Sequence, residues 1–102
     1  MRKPEELPEE RLLTNLIEEA GELVQAATKL LRVFSGDTPV EEAVARANLI
    51  EEMADVMLCI QVKATLIEYM QMTQICTEKY RRWIRRINEE GREHEQTGRN
   101  DK

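Results

Sequence analysis

Seven apolar residues, Leu13, Ile17, Ala20, Val24, Ala27, Leu31 and Phe34, recur at alternating steps of four and three. A helix brings such positions onto one stripe, so the spacing predicts a continuous helix from about Pro8 to Phe34. Ser35-Gly36-Asp37 then stops it, with Gly36 suited to a left-handed cap. A second ridge, Ile50, Met53, Met57, Ile60, Ala64 and Ile67, predicts a helix from about Thr38 to Ile67. Thr38 is placed to be its N-cap, Pro39 its first helical residue and Glu41 the partner in a capping box. A break near Ala47-Asn48 is compatible with the pattern. A third helix is expected between about Met72 and Asn88, with Met72, Cys76, Tyr80, Trp83 and Ile87 on one face. The fold class expected is all-α, a bundle of three to four helices.

With 102 residues the chain has room for one core, and a small one. Phe34, Tyr69, Tyr80 and Trp83 are its four aromatics, so that core must be aliphatic, with Tyr80 and Trp83 joining it. A chain this short buries a limited fraction of its surface, and oligomerisation is expected to complete the core. The expected organisation is a charged arm at 1–10, a helical domain at 11–88 and a polar, disordered tail at 89–102. His94, in the tail, is expected to be solvated. No uncharged run is long enough to span a bilayer, and the opening residues carry no apolar signal segment. Cytoplasmic location follows, with Cys59 and Cys76 as free thiols. The net charge of −5 argues against a general nucleic-acid binder. It divides unevenly, −7 over residues 1–55 and +2 over residues 56–102.

Two short acidic segments account for much of that division. The first helix carries Glu18-Glu19-Ala20-Gly21-Glu22 and the second Glu51-Glu52-Met53-Ala54-Asp55. Residues three apart are neighbours on a helix. The pair Glu19 and Glu22 can therefore reach one cation, and so can Glu52 and Asp55. With ~100° per residue, both pairs lie roughly 100° and 160° from their ridges, on the same side. Two helices packed ridge to ridge would aim four carboxylates into one cleft. Acids off a ridge are usually just a solvated face. Asp55, however, shares its side with Leu58, Cys59 and Val62, and a carboxylate among apolar residues needs a cation or a hydrogen-bonding partner. Gly21, costly within a helix, would be explained by a close helix approach.

The donor types narrow the metal. Di-iron carboxylate bundles need Glu-x-x-His pairs, and zinc sites draw on His and Cys. An all-oxygen set suits Mg²⁺, with Mn²⁺ as a possible substitute, and such ions commonly bridge to phosphate oxygens. Lys79, Arg81, Arg82, Arg85 and Arg86 crowd the third helix. Guanidinium groups hold phosphates bidentately, and a solvated basic face is the plainer alternative. Lys63 is a weaker candidate of the same kind.

Taken together, EEAGE at Glu18 to Glu22 and EEMAD at Glu51 to Asp55, within LIEEAGELVQAA and LIEEMADVML, resemble the MazG-like branch of the all-α nucleoside triphosphate pyrophosphohydrolases. The resemblance covers roughly residues 12 to 87. It implies a helical bundle completed by a second chain, as a dimer or a dimer of dimers. It also implies Mg²⁺-dependent cleavage of nucleoside triphosphates between the α and β phosphates, giving a nucleoside monophosphate and pyrophosphate. Glu19, Glu22, Glu52 and Asp55 match the family's metal ligands, and Glu18 the residue that orients or deprotonates the attacking water. Lys79 and Arg86 look similar to its phosphate contacts, with Arg82 beside them, while Trp83 stands where the family often shows Asn. The competing readings are a non-catalytic helical interaction module and, within the superfamily, a phosphoribosyl-ATP pyrophosphatase.

Overall fold

The computed structural model describes the backbone of residues 1–100 and the side chains of residues 1–91. A 3-10 turn at Pro4–Glu6 leads into three helices: α1, Glu9–Ser35; α2, Glu42–Lys63; and α3, Leu66–Asn100. No strand occurs among the described residues, and the fold is all-α as expected. None of the helices described is long and apolar enough to cross a membrane. His94 lies outside the described side chains.

Each helix end has a local cause. Gly36 takes φ 75°, the left-handed conformation that ends α1. There the Gly36 N–H donates to the Val33 carbonyl at 3.1 Å, and the Asp37 N–H to the Arg32 carbonyl at 2.9 Å. The start of α2 differs from the expected one. The helix opens at Glu42 with Glu41 as N-cap and no side-chain cap bond, leaving Thr38 and Pro39 in the connecting loop. Val40 before the cap and the buried Ala45 four positions into the helix have the spacing of a hydrophobic staple. At Ala47-Asn48 the helix runs through unbroken.

Two compact units divide the chain, Met1–Thr65 and Leu66–Lys102. The first is a helical hairpin. Lys63 near the end of α2 pairs with Glu9 at the start of α1, at 3.7 Å. At the other end Arg46 sits over the Phe34 ring, 5.4 Å from its centroid. The two helices are therefore antiparallel. The 3-10 turn packs on α2.

The face that α1 turns to α2 is not the expected ridge. Leu12, Ala26 and Leu30 are buried, and Leu16, Glu19, Leu23 and Val33 are half-buried, a seam one residue earlier at each step. Most of the expected ridge faces away: Ile17, Val24, Leu31 and Phe34 are 56% to 72% exposed, while Ala20 is half-buried. The same holds on α2. Ala45 is buried and Leu49, Glu52, Val56, Cys59 and Lys63 are half-buried; of the expected ridge, Ile50, Met53, Met57 and Ile67 are exposed, while Ile60 and Ala64 are half-buried. The reason lies in the doublets Leu12-Leu13, Leu16-Ile17, Leu23-Val24, Ala26-Ala27, Leu30-Leu31 and Val33-Phe34. Each helix carries two adjacent apolar stripes, and periodicity alone does not rank them.

The second unit is α3. It begins at Leu66, two residues after the extended Ala64, rather than near Met72. It also continues past Asn88 to Asn100, through the segment expected to be a disordered tail. That segment has no apolar ridge for periodicity to detect, yet Glu, Arg and Gln are good helix formers and no proline interrupts them. Tyr80 and Trp83, expected in the core, are 64% and 62% exposed. They lie on an apolar face shared with Ile84 and Ile87.

Candidate metal and active site

Glu19 and Glu52 occupy seam positions that are otherwise filled mostly by Leu, Ala or Val. Antiparallel packing sets them across the hairpin from one another, near the middle of both helices. Glu22 and Asp55 each follow three residues later, about 60° round the helix from the seam position. Because the helices are antiparallel, the same rotation carries both to one side of the hairpin. One carboxylate oxygen from each of Glu19, Glu22 and Glu52 lies within 4.8 Å of the other two. Asp55 is half-buried beside them, Glu22 is exposed, and Glu18 and Glu51 lie at the outer margin. Convergence of the two acidic motifs was expected; the seam that produces it passes through the acids themselves.

The electrostatics of the cluster are those of like charges brought together out of water. The Glu19 carboxyl is pushed above its ordinary range first by burial and then by the charges of Glu22 and Asp55, a hydrogen bond with Glu22, and Glu18. Glu52 is raised likewise, by burial, by Glu22 through charge and hydrogen bonding, and by Asp55 and Glu19. Oε2 of Glu19 and Oε2 of Glu52 are buried without a hydrogen-bond partner. A buried oxygen acceptor left unpaired is costly, and a cation is one of the few groups that satisfies several at once. The donor set is all oxygen, as a hard divalent cation requires. The Cys59 thiol, near the cluster, is pushed above its ordinary range by burial and then by the charges of Glu19 and Asp55.

Gly21 does not play the part expected of it. A Cβ built there meets nothing within 4 Å, so the hairpin does not require glycine at that position. Lys63 is engaged with Glu9 at the end of the hairpin.

The basic candidates belong to the second unit. Lys79, Arg82 and Arg86 fall within about 60° of one another on α3. All three are exposed. Arg82 and Arg86 line a shallow cleft with Arg85 and Glu89.

Asn15 was not anticipated. It is half-buried on α1, one turn before Glu18 and Glu19, and lines a pocket beside the cluster. A polar side chain bordered by Leu12, Leu13, Leu16 and Ile17 was the available signal.

The model of the MazG nucleotide pyrophosphohydrolase domain matches residues 7–90. The chain belongs to this family. The match spans the end of the arm, both acidic helices and the basic part of α3, so the MazG domain takes in parts of both compact units. Comparison with curated proteins and with solved structures gives no significant match. Membership in the MazG family and the acidic cluster agree on one kind of chemistry, divalent-metal-assisted work on nucleotide phosphates.

Proposed function

We propose that this MazG-family protein hydrolyses nucleoside or deoxynucleoside triphosphates between the α and β phosphates, with Mg²⁺, to a monophosphate and pyrophosphate. The observation that carries the proposal is the seam itself. Two helices place Glu19 and Glu52 opposite each other with unpartnered buried oxygens, and Glu22 comes within 4.8 Å.

In this reading Glu19, Glu22, Glu52 and Asp55 hold the metal. When bound, Mg²⁺ (or Mn²⁺) supplies positive charge that offsets the triphosphate and acidifies water. Glu18, at the outer margin of the cluster, orients the attacking water and accepts its proton. Water then adds at the α phosphorus as the bond to the bridging oxygen breaks and pyrophosphate leaves. Lys79, Arg82 and Arg86 contact the phosphates, since planar guanidinium groups match phosphate oxygens in pairs. Self-association as a dimer or a dimer of dimers covers the second apolar stripes of α1 and α2. The cytoplasm, where such substrates are made and used, is the setting.

The test is product identity. Purified protein is incubated with ribo- and deoxynucleoside triphosphates and Mg²⁺, and pyrophosphate and orthophosphate are assayed separately. Pyrophosphate with an equal amount of monophosphate is expected. Its absence with every member, in Mg²⁺ and in Mn²⁺, would sink the proposal and favour a non-catalytic helical module. Release from phosphoribosyl-ATP alone would move the assignment within the superfamily.

A further inference from the structure

Beside the carboxylates, on the same side of the hairpin as Glu22 and Asp55, lies a pocket of about 140 Å³. Leu12 and Asn15 of α1 form one wall, and Leu58, Cys59 and Val62 of α2 form the opposite one. Pro4 and Leu7, at either end of the 3-10 turn, form the third. The turn is held by its own hydrogen bonds: Lys3 N–H to a Glu6 carboxylate oxygen at 3.2 Å, and Leu7 N–H to the Pro4 carbonyl at 3.1 Å. The walls are apolar except for the Asn15 amide and the Cys59 thiol.

We infer that this pocket takes the base of the nucleotide substrate, with the Asn15 amide reading its edge and the 3-10 turn closing over it. The inference rests on the triphosphate reading above. Apolar walls suit the two faces of a flat heterocycle, and they repel a charged phosphate or metal. One amide offers a donor and an acceptor together, which an alkyl chain or a lipid tail would leave unused. Location matters equally. Asn15 precedes Glu18 by one helical turn, and Leu58 and Cys59 follow Asp55 by one turn, about 5–6 Å along each axis. A ligand with its phosphates at the acids and its base in the pocket therefore lies along the hairpin on one side. The acids fix the phosphate end of any nucleotide, so discrimination between bases falls to Asn15. A site built to hydrogen-bond one edge rejects a base lacking it more strongly than an apolar slot rejects a difference in size.

The experiment measures kcat/KM for pyrophosphate release from ATP, GTP, CTP, UTP and their deoxy counterparts. It compares the natural protein with Asn15→Ala and Val62→Phe, each checked for helix content by circular dichroism. In Asn15→Ala the spread between best and worst base is expected to narrow by about tenfold or more. In Val62→Phe, which fills the pocket, KM is expected to rise for every nucleotide. An unchanged spread in folded Asn15→Ala, with unchanged KM in Val62→Phe, would overturn the inference. A second readout needs no turnover: the Asn15 side-chain amide is followed by NMR while the metal-free natural protein is titrated with the four nucleoside 5′-monophosphates. A shift that depends on the base, with no pyrophosphate release, keeps the pocket and removes the hydrolysis reading. Pyrophosphate release without any shift at Asn15 removes the pocket and keeps the hydrolysis. Absence of both removes both.

Discussion

Glu19 and Glu52 stand where leucine would make a better hairpin, and their side chains show the strain: raised pKa values and one unpartnered buried oxygen each. The proposed metal role makes two predictions at these residues. First, Glu52→Gln keeps the side chain's shape and removes its charge. It should lower Mg²⁺ affinity and pyrophosphate release by at least about tenfold, the scale expected for disturbing a metal's ligand environment. Calorimetric titration and product assay check it, and unchanged activity would remove Glu52 from the ligand set. Second, pH should act on the metal-free protein with a definite sign. Both carboxyls have folded-state pKa values above their ordinary 4.5. Between the two values the folded chain holds protons that the unfolded chain has released. Their contribution to stability is fully present below about 4.5 and is lost as pH rises through the folded-state values. Melting temperatures in a chelator, compared with Glu19→Gln/Glu52→Gln, should show a natural-protein disadvantage that grows with pH over that window. Saturating Mg²⁺ should remove it for the natural protein alone. A gap that stays constant across the window would mean that the cluster is solvated.

At the level of the helices, the paired stripes explain what could be read in advance. The 3.6-residue period, the Gly36 cap and the two acidic motifs were visible because each depends on near neighbours in the chain. The choice between Leu12, Leu16, Leu23 and Leu30 and the stripe beside them was not, because it depends on how α1 and α2 pack against each other, a contact between residues far apart in the chain. That choice placed Glu19 and Glu52 within the seam rather than beside it. The Asn15 pocket was equally hidden, since one of its walls is the arm, brought in from outside both helices. Replacing both seam acids by leucine is the sharpest test. Glu19→Leu/Glu52→Leu should melt well above the metal-free natural protein while losing the stabilisation by Mg²⁺ altogether, because buried repelling charges are replaced by apolar packing. A lower melting temperature in chelator would show that the acids, not the leucines, suit the packing there. Gly21 offers a contrasting case on the outer side of α1. With open space around it, Gly21→Ala should stabilise the helix by roughly 0.5–1 kcal/mol in chemical denaturation. A loss instead would reveal another helix pressed against that position.

The whole hairpin has two unlike sides. The carboxylates Glu22 and Asp55 and the Asn15 pocket lie on one side. Ile17, Val24, Leu31, Ile50, Met53 and Met57 lie on the other, because the same rotation from the seam on two antiparallel helices leads to a common face. These six side chains are 52% to 72% exposed, so leaving them uncovered forgoes more than half of the about 1.5–3 kcal/mol that full burial of each would give. A small domain's whole stability is only about 5–15 kcal/mol, so the exposed stripe is large on the scale that decides folding. The proposed self-association would give this stripe an occupant, a second copy with a matching stripe, through an isologous contact in which each hairpin covers the other. Such a contact would also leave the polar side open to substrate on both copies. Sedimentation velocity at micromolar concentration should give at least twice the 11.9 kDa of one chain. Ile17→Glu/Met53→Glu, which charges the centre of the face without touching the acids, should reduce the mass toward one chain and lower the melting temperature. A natural protein that sediments as a single chain across the micromolar range would remove self-association from the proposal, and the apolar face would then need a different cover.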